Sequence, residues 1–161
     1  MRRAAARAAF GVPPPAVPGA AWRVVRAMAS PHVWKFFRAG GFDQVRLDTG
    51  ADLLALAELD QKLWVALACP TTGLEFDPRT LALIDADGDG RIRAPELIAA
   101  VQWACARLRS PEELVRGGDA LPLDAVDDAT PEGKCLRAAA RQILTNLGKS
   151  GATAVTLEDA T

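Results

Sequence analysis

Apolar residues recur at helical intervals along most of this chain, and the pattern predicts a mainly α fold. Ser30-Pro31 reads as a cap and first helical position, with Val33, Trp34, Phe36 and Phe37 supplying an apolar surface and Gly40-Gly41 ending the helix. Phe42 to Leu47 reads as a short extended piece. From Asp48 or Thr49 a longer helix is expected to reach Cys69, because Leu53, Leu56, Leu59 and Leu63 recur three and four residues apart. The apolar run Leu63 to Cys69 asks for burial on more than one side, and Pro70 closes it. Asp77-Pro78 opens a helix of about two turns with Leu81 and Ile84 inward. A longer helix follows from Pro95 to Arg109, with Ile98, Val101, Cys105 and Leu108 in one stripe. Ser110-Pro111-Glu112-Glu113 reads as a capping box for a short helix that Gly117-Gly118 terminate, and 117–130 reads as a connecting loop. Thr130-Pro131 caps a last helix whose stripe is Cys135, Leu136, Ala139, Ile143 and Leu147, with Gly148 beyond its end.

Composition narrows the picture. The chain has 161 residues, half of them apolar, and a net charge of only −1. That is long enough for one packed domain and gives no bulk electrostatic reason to expect nucleic acid or an anionic membrane as partner. The first 26 residues hold five arginines and no acid. With Pro13, Pro14, Pro15 and Pro18 they read as a disordered tail over 1–27, followed by a helical domain over 28–161. Arg2 and Arg3 resemble the start of a signal peptide, but Arg7 and the prolines break the apolar run too early. Met28 offers an alternative start. The three cysteines, Cys69, Cys105 and Cys135, sit far apart in apolar patterns. Buried, reduced thiols are expected, and with them a reducing, cytoplasmic compartment. No window has the length of a membrane span. His32, the single histidine, reads as a solvated residue with no role.

The chemistry is concentrated in Asp85-Ala86-Asp87-Gly88-Asp89-Gly90-Arg91-Ile92-Arg93-Ala94-Pro95-Glu96. A hard divalent cation takes six to eight oxygen ligands at about 2.3–2.6 Å, and a loop folding around it offers side chains at alternate positions. Asp85, Asp87 and Asp89 stand at positions one, three and five. The sharp reversal at position six calls for glycine, and Gly90 is there. Arg91 at position seven ligates through its main-chain carbonyl, Ile92 at eight anchors the loop to a core, and Glu96 at twelve reaches back with its carboxylate. Arg93 at nine has no acceptor, so a water fills that place. An Asp-Gly surface turn without metal is the simplest rival. A magnesium loop of a phosphosugar mutase also clusters aspartates, but needs a far longer chain and a phosphorylated serine.

These twelve residues resemble an EF-hand calcium loop, D-x-D-x-D-G-x-I-x-x-x-E, and with the flanking helices they make an EF-hand-like helix-loop-helix unit over 77–109. The resemblance implies one bound calcium ion. The loop's two arginines oppose the ion, placing the dissociation constant at roughly 10⁻⁶ to 10⁻⁴ M. EF-hands commonly pair through position eight. Setting Val155 opposite Ile92 makes 131–159 a possible degenerate, ion-free partner hand. The chain stops at Thr161, where an exit helix would begin, and is therefore expected to be a piece of a longer protein. Phe36-Phe37-Arg38-Ala39-Gly40-Gly41-Phe42-Asp43-Gln44-Val45 and Leu59-Asp60-Gln61-Lys62-Leu63-Trp64-Val65 resemble the N-terminal part of large uncharacterised bacterial proteins that contain EF-hand loops. That implies a bacterial source.

The expected function is a structural or weakly regulatory calcium-binding module, acting with the rest of its parent chain or another protein. A dockerin-like interaction module is the first alternative, although dockerins carry two intact loops. A non-catalytic fragment of an enzyme is the second. No nucleophile elbow, phosphate-cradling loop or Cys/His pair stands out, and no catalysis is assigned.

Overall fold

A computed structural model describes residues 31–160. The tail expected at 1–27, the Met28 start and the Ser30 cap lie outside them. The expectation of a mainly α fold is not met: helix makes up 42% and strand 18% of the structure, with three small antiparallel two-stranded sheets.

The first departure is at the aromatic cluster. Lys35–Ala39 (β1) and Phe42–Arg46 (β2) form a hairpin, with Ala39 opposite Phe42. Gly40 and Gly41 lie between them at φ of 59° and 85°. Two consecutive residues at positive φ make a tight turn whose twist matches paired strands, and this overrides the helical spacing of the Phe residues. Phe36, Phe37 and Phe42 are exposed rather than core. His32 is not simply solvated: its Nε2 lies 2.8 Å from Asp52 Oδ1 and its ring packs edge-on against Trp34, centroids 4.4 Å apart.

Thr49 caps the next helix as expected. Thr49 Oγ1 accepts from Asp52 N at 3.3 Å while Asp52 Oδ2 accepts from Thr49 N at 2.8 Å, a reciprocal capping box. The helix itself, Gly50–Ala55 (α1), is short. Single 3₁₀ turns follow at Leu56–Glu58 and Gln61–Leu63, then a strand, Ala68–Pro70 (β3). Asp60 accepts from Lys62 N at 3.0 Å, diverting that amide into a new local turn, and the later residues are drawn into a ladder. Leu63, Val65 and Leu67 are exposed, not buried on several sides.

Pro78–Ile84 (α2), Arg91–Arg93 (β4) and Ala94–Cys105 (α3) follow. Asp77 caps α2, accepting from Arg79 N at 3.3 Å and Thr80 N at 2.9 Å. α3 ends about a turn before Arg109, and α1 packs on it. Leu56, Leu81, Ile92, Ala94 and Cys105 are the buried apolar residues of this half. Only Cys105 of the three thiols is buried; all are free, and burial raises the Cys105 pKa.

Glu112–Arg116 (α4) has no reciprocal capping box. Glu112 N lies 3.3 Å from Ser110 Oγ, but Glu113 turns to Arg116 at 2.9 Å and Glu112 accepts from Gly50 N at 2.7 Å. The supposed connecting loop holds a strand, Ala120–Pro122 (β5), and three buried apolar residues, Leu123, Ala125 and Val126. Arg109 N donates to Ala125 O and Asp127 N to Arg107 O, each at 2.8 Å, which ties this segment to the end of α3.

Pro131–Asn146 (α5) starts at the Thr130 cap, but its core-facing line is not the predicted stripe. Gly133 and Leu144 are buried and Arg137, Ala140 and, from the predicted stripe, Ile143 half-buried, whereas Cys135, Leu136, Ala139 and Leu147 are exposed. Two contacts set this rotation. Gly133 lies against the Asp127 carbonyl, where a Cβ has no room, and Arg137 NH1 donates to Asp128 Oδ2 at 2.5 Å. Ala154–Thr156 (β6) then pairs with β5, so Val155 faces Leu121 and Ile92 faces Cys69. The Ile92–Val155 contact of a partner hand at 131–159 is not formed. Among the described residues no helix is long and apolar enough to cross a membrane.

Gly133→Ala, a change that ordinarily favours a helix by up to about 1 kcal/mol, is expected here to destabilise by about 1–3 kcal/mol through overpacking. Urea unfolding checks the sign. Asp159 accepts from Lys149 Nζ at 2.6 Å and Thr156 N at 3.0 Å, and the Lys149 bond leads in lowering its pKa to about 2. Because the folded value is depressed, the stabilisation is full above the unfolded pKa of about 3.9 and is lost as pH falls towards 2. Thermal unfolding between pH 5 and 2 is expected to lose part of its pH dependence in Asp159→Asn.

Candidate metal centre

The loop between α2 and α3 is shaped by its own carboxylates. Asp85 Oδ2 accepts from Gly90 N at 3.0 Å, Asp87 Oδ1 from Asp89 N at 3.1 Å and Asp89 Oδ1 from Arg91 N at 3.0 Å. Short acidic side chains that bond amides a few residues on curl the backbone around themselves. Gly90, at φ 82°, makes the reversal that a side chain would strain. As a result one oxygen from each of Asp85, Asp87 and Asp89 lies within 4.8 Å of the other two. The three carboxylates picked out in the sequence do converge.

Asp85 Oδ1 is buried with no hydrogen-bond partner. An acceptor removed from water and left unpaired is costly, and a cation at this oxygen offsets that cost. The donor set is all oxygen, which suits a hard divalent ion.

Arg91 enters through the ladder. Thr71 N donates to Gly90 O at 3.1 Å, and Cys69 stands opposite Ile92. In an antiparallel ladder hydrogen-bonded pairs alternate, so Arg91 and Pro70 face each other in a pair whose main-chain groups point away from the partner strand. Proline, lacking N–H, fits only there. The Arg91 carbonyl is thus free of the ladder, as a position-seven ligand requires. Ile92 is buried, as its anchoring role predicts.

Glu96 stands outside the triad. Its Oε1 accepts from Ala86 N at 2.9 Å and its Oε2 from Arg93 N at 2.8 Å, so it clasps both ends of the loop. The Arg93 amide is the largest influence on its pKa; burial opposes, the amides of Ala86 and Asp87 assist, and the net shift is downward.

The residue that the sequence assigned to water is more active than expected. Arg93 NH2 donates to Asp89 Oδ2 at 2.5 Å and its NH1 lies 3.7 Å from Asp87 Oδ2, making Arg93 a counter-cation within the loop. That hydrogen bond, against the effect of burial, holds the Asp89 carboxyl below its ordinary range. The Asp89–Arg93 spacing was the available signal.

Comparison of the chain with protein-family models, with curated proteins and with solved structures finds no match. The site is therefore read from its own geometry. Arg93→Ala, in metal-free protein, leaves Asp87 and Asp89 uncompensated and is expected to lower Tm by about 1–4 °C at low ionic strength. The loss shrinks as salt screens the pair. A deficit independent of salt assigns Arg93 a packing role instead.

Proposed function

We propose that residues 85–96 bind one calcium ion through carboxylate oxygens of Asp85, Asp87, Asp89 and Glu96 and the main-chain carbonyl of Arg91, with water at position nine. The observation that carries this reading is the buried, unpartnered Asp85 Oδ1 within a triad of converging carboxylates. The twelve-residue pattern supports it independently. Binding entails two movements: Arg93 leaves Asp87 and Asp89, and Glu96 turns from the amides of Ala86 and Arg93 towards the ion.

Calcium suits the loop better than magnesium, because a carbonyl and a bidentate carboxylate on a flexible chain give a large, irregular shell. The ion supplies charge neutralisation and takes no part in chemistry. Its binding free energy becomes folding free energy for the loop, and through β4 for the ladder with β3. A sensor exposes an apolar, often methionine-rich groove when loaded. The two methionines, Met1 and Met28, are remote in sequence from the loop, which favours a structural or weakly regulatory module over a sensor.

Calorimetric titration of calcium into metal-stripped protein, with magnesium present, tests this. One site is expected, weakened at least about tenfold in Glu96→Gln and tightened several-fold in Arg93→Asp, which adds a ligand and removes the competing cation. No saturable heat, or identical binding by both variants, overturns the assignment.

A further inference from the structure

A separate cleft of about 650 Å³ opens in the second half of the molecule, between α5, the 122–124 segment and the 150–153 turn. Arg137 and Arg141 line it from one face of α5, one turn apart. Arg137 is mostly buried, with its side chain 21% exposed. Its NH1 donates to Asp128 Oδ2 at 2.5 Å, and the other oxygen of that carboxylate takes Arg109 NH2, also at 2.5 Å. One aspartate thus serves two guanidinium groups and neutralises only one of them.

Two facts are left over. Arg137 Nε is buried and has no hydrogen-bond partner. Arg141, on the same face, forms no ion pair among the described residues, so a second positive charge stands beside the first. Asp124 at the opposite wall offers one negative charge. Counting Arg109, the site has three arginines against two aspartates and remains cationic. Ser150 and Thr153, each with a hydroxyl to offer, also line the cleft.

A buried N–H without an acceptor beside an unpaired guanidinium is the complement of an oxyanion. We propose that this cleft binds a phosphate group, free or carried as a monoester on a small molecule, with Arg137 Nε and Arg141 as its charged donors and Ser150 and Thr153 as neutral ones. Donors from two separate segments suit a tetrahedral anion, whose oxygens diverge, better than a planar carboxylate. The anion fills the hydrogen-bonding capacity of Arg137 and removes the like-charge repulsion along α5.

The test is calorimetric titration of inorganic phosphate, glycerol phosphate and acetate into the full chain at matched ionic strength in metal-free buffer. Saturable phosphate binding is expected, at least about tenfold weaker in Arg141→Gln and in Arg137→Lys, which keeps a charge beside Asp128 but loses the Nε–H. Thermal unfolding without phosphate checks that both variants fold. Tighter binding of glycerol phosphate identifies a monoester as the ligand, and tighter binding of inorganic phosphate identifies the free ion. No saturable phosphate binding, equal binding by folded variants, or acetate binding as tight as phosphate overturns the proposal.

Discussion

Three carboxylates whose oxygens approach within 4.8 Å repel one another, and the loop between α2 and α3 is arranged around offsetting that repulsion. Amides of Gly90, Asp89 and Arg91 point their dipoles at Asp85, Asp87 and Asp89 in turn, and Arg93 adds a full positive charge. These contacts compensate incompletely, because Asp85 Oδ1 remains buried without a donor. A divalent ion has the charge and the ligand number to complete what one guanidinium begins. Without a bound ion the loop thus holds converging carboxylates ordered in part by a guanidinium of its own.

The loop is tied to the fold through Ile92. This residue is buried and pairs with Cys69, so the same three-residue strand closes the acidic loop and docks it. The ladder is short, and its Pro70–Arg91 pair leaves the Arg91 carbonyl unused by strand pairing. The short sheet thus anchors the loop on one side and leaves one acceptor spare on the other. The second half repeats the device in β5 and β6, with Leu121 opposite Val155, but Gly148, Ser150 and Ala152 stand where Asp85, Asp87 and Asp89 do, and only Asp159 keeps an acid, in the place of Glu96.

What could be read from the sequence was local. Asp77, Thr49 and Thr130 announce helix starts because their side chains satisfy amides within one turn, and each does so in the structure. The Asp85, Asp87, Asp89 and Gly90 spacing likewise encodes a loop that needs no distant partner. Strands of three residues carry no periodicity, and their partners lie 23 and 34 residues away, so β3 to β6 were read as helix or loop. The face of α5 was misread for a related reason. Its buried line is chosen by the space at Gly133 and the charge at Arg137, and apolar spacing reports neither. His32 was dismissed because Asp52, its partner, lies 20 residues on.

The most direct test of the ion-binding account is an amide-resolved NMR titration of the metal-free chain with calcium. The account predicts one saturable transition in which the amides of residues 85–96 shift together with those of Cys69 and Thr71 across the ladder, while Leu121 and Val155 stay in place. Gly90, whose amide donates to Asp85, should be among the most affected. Small shifts scattered over acidic surface residues, or no shift in the loop, would contradict it and leave the carboxylates compensated by the loop's own arginines.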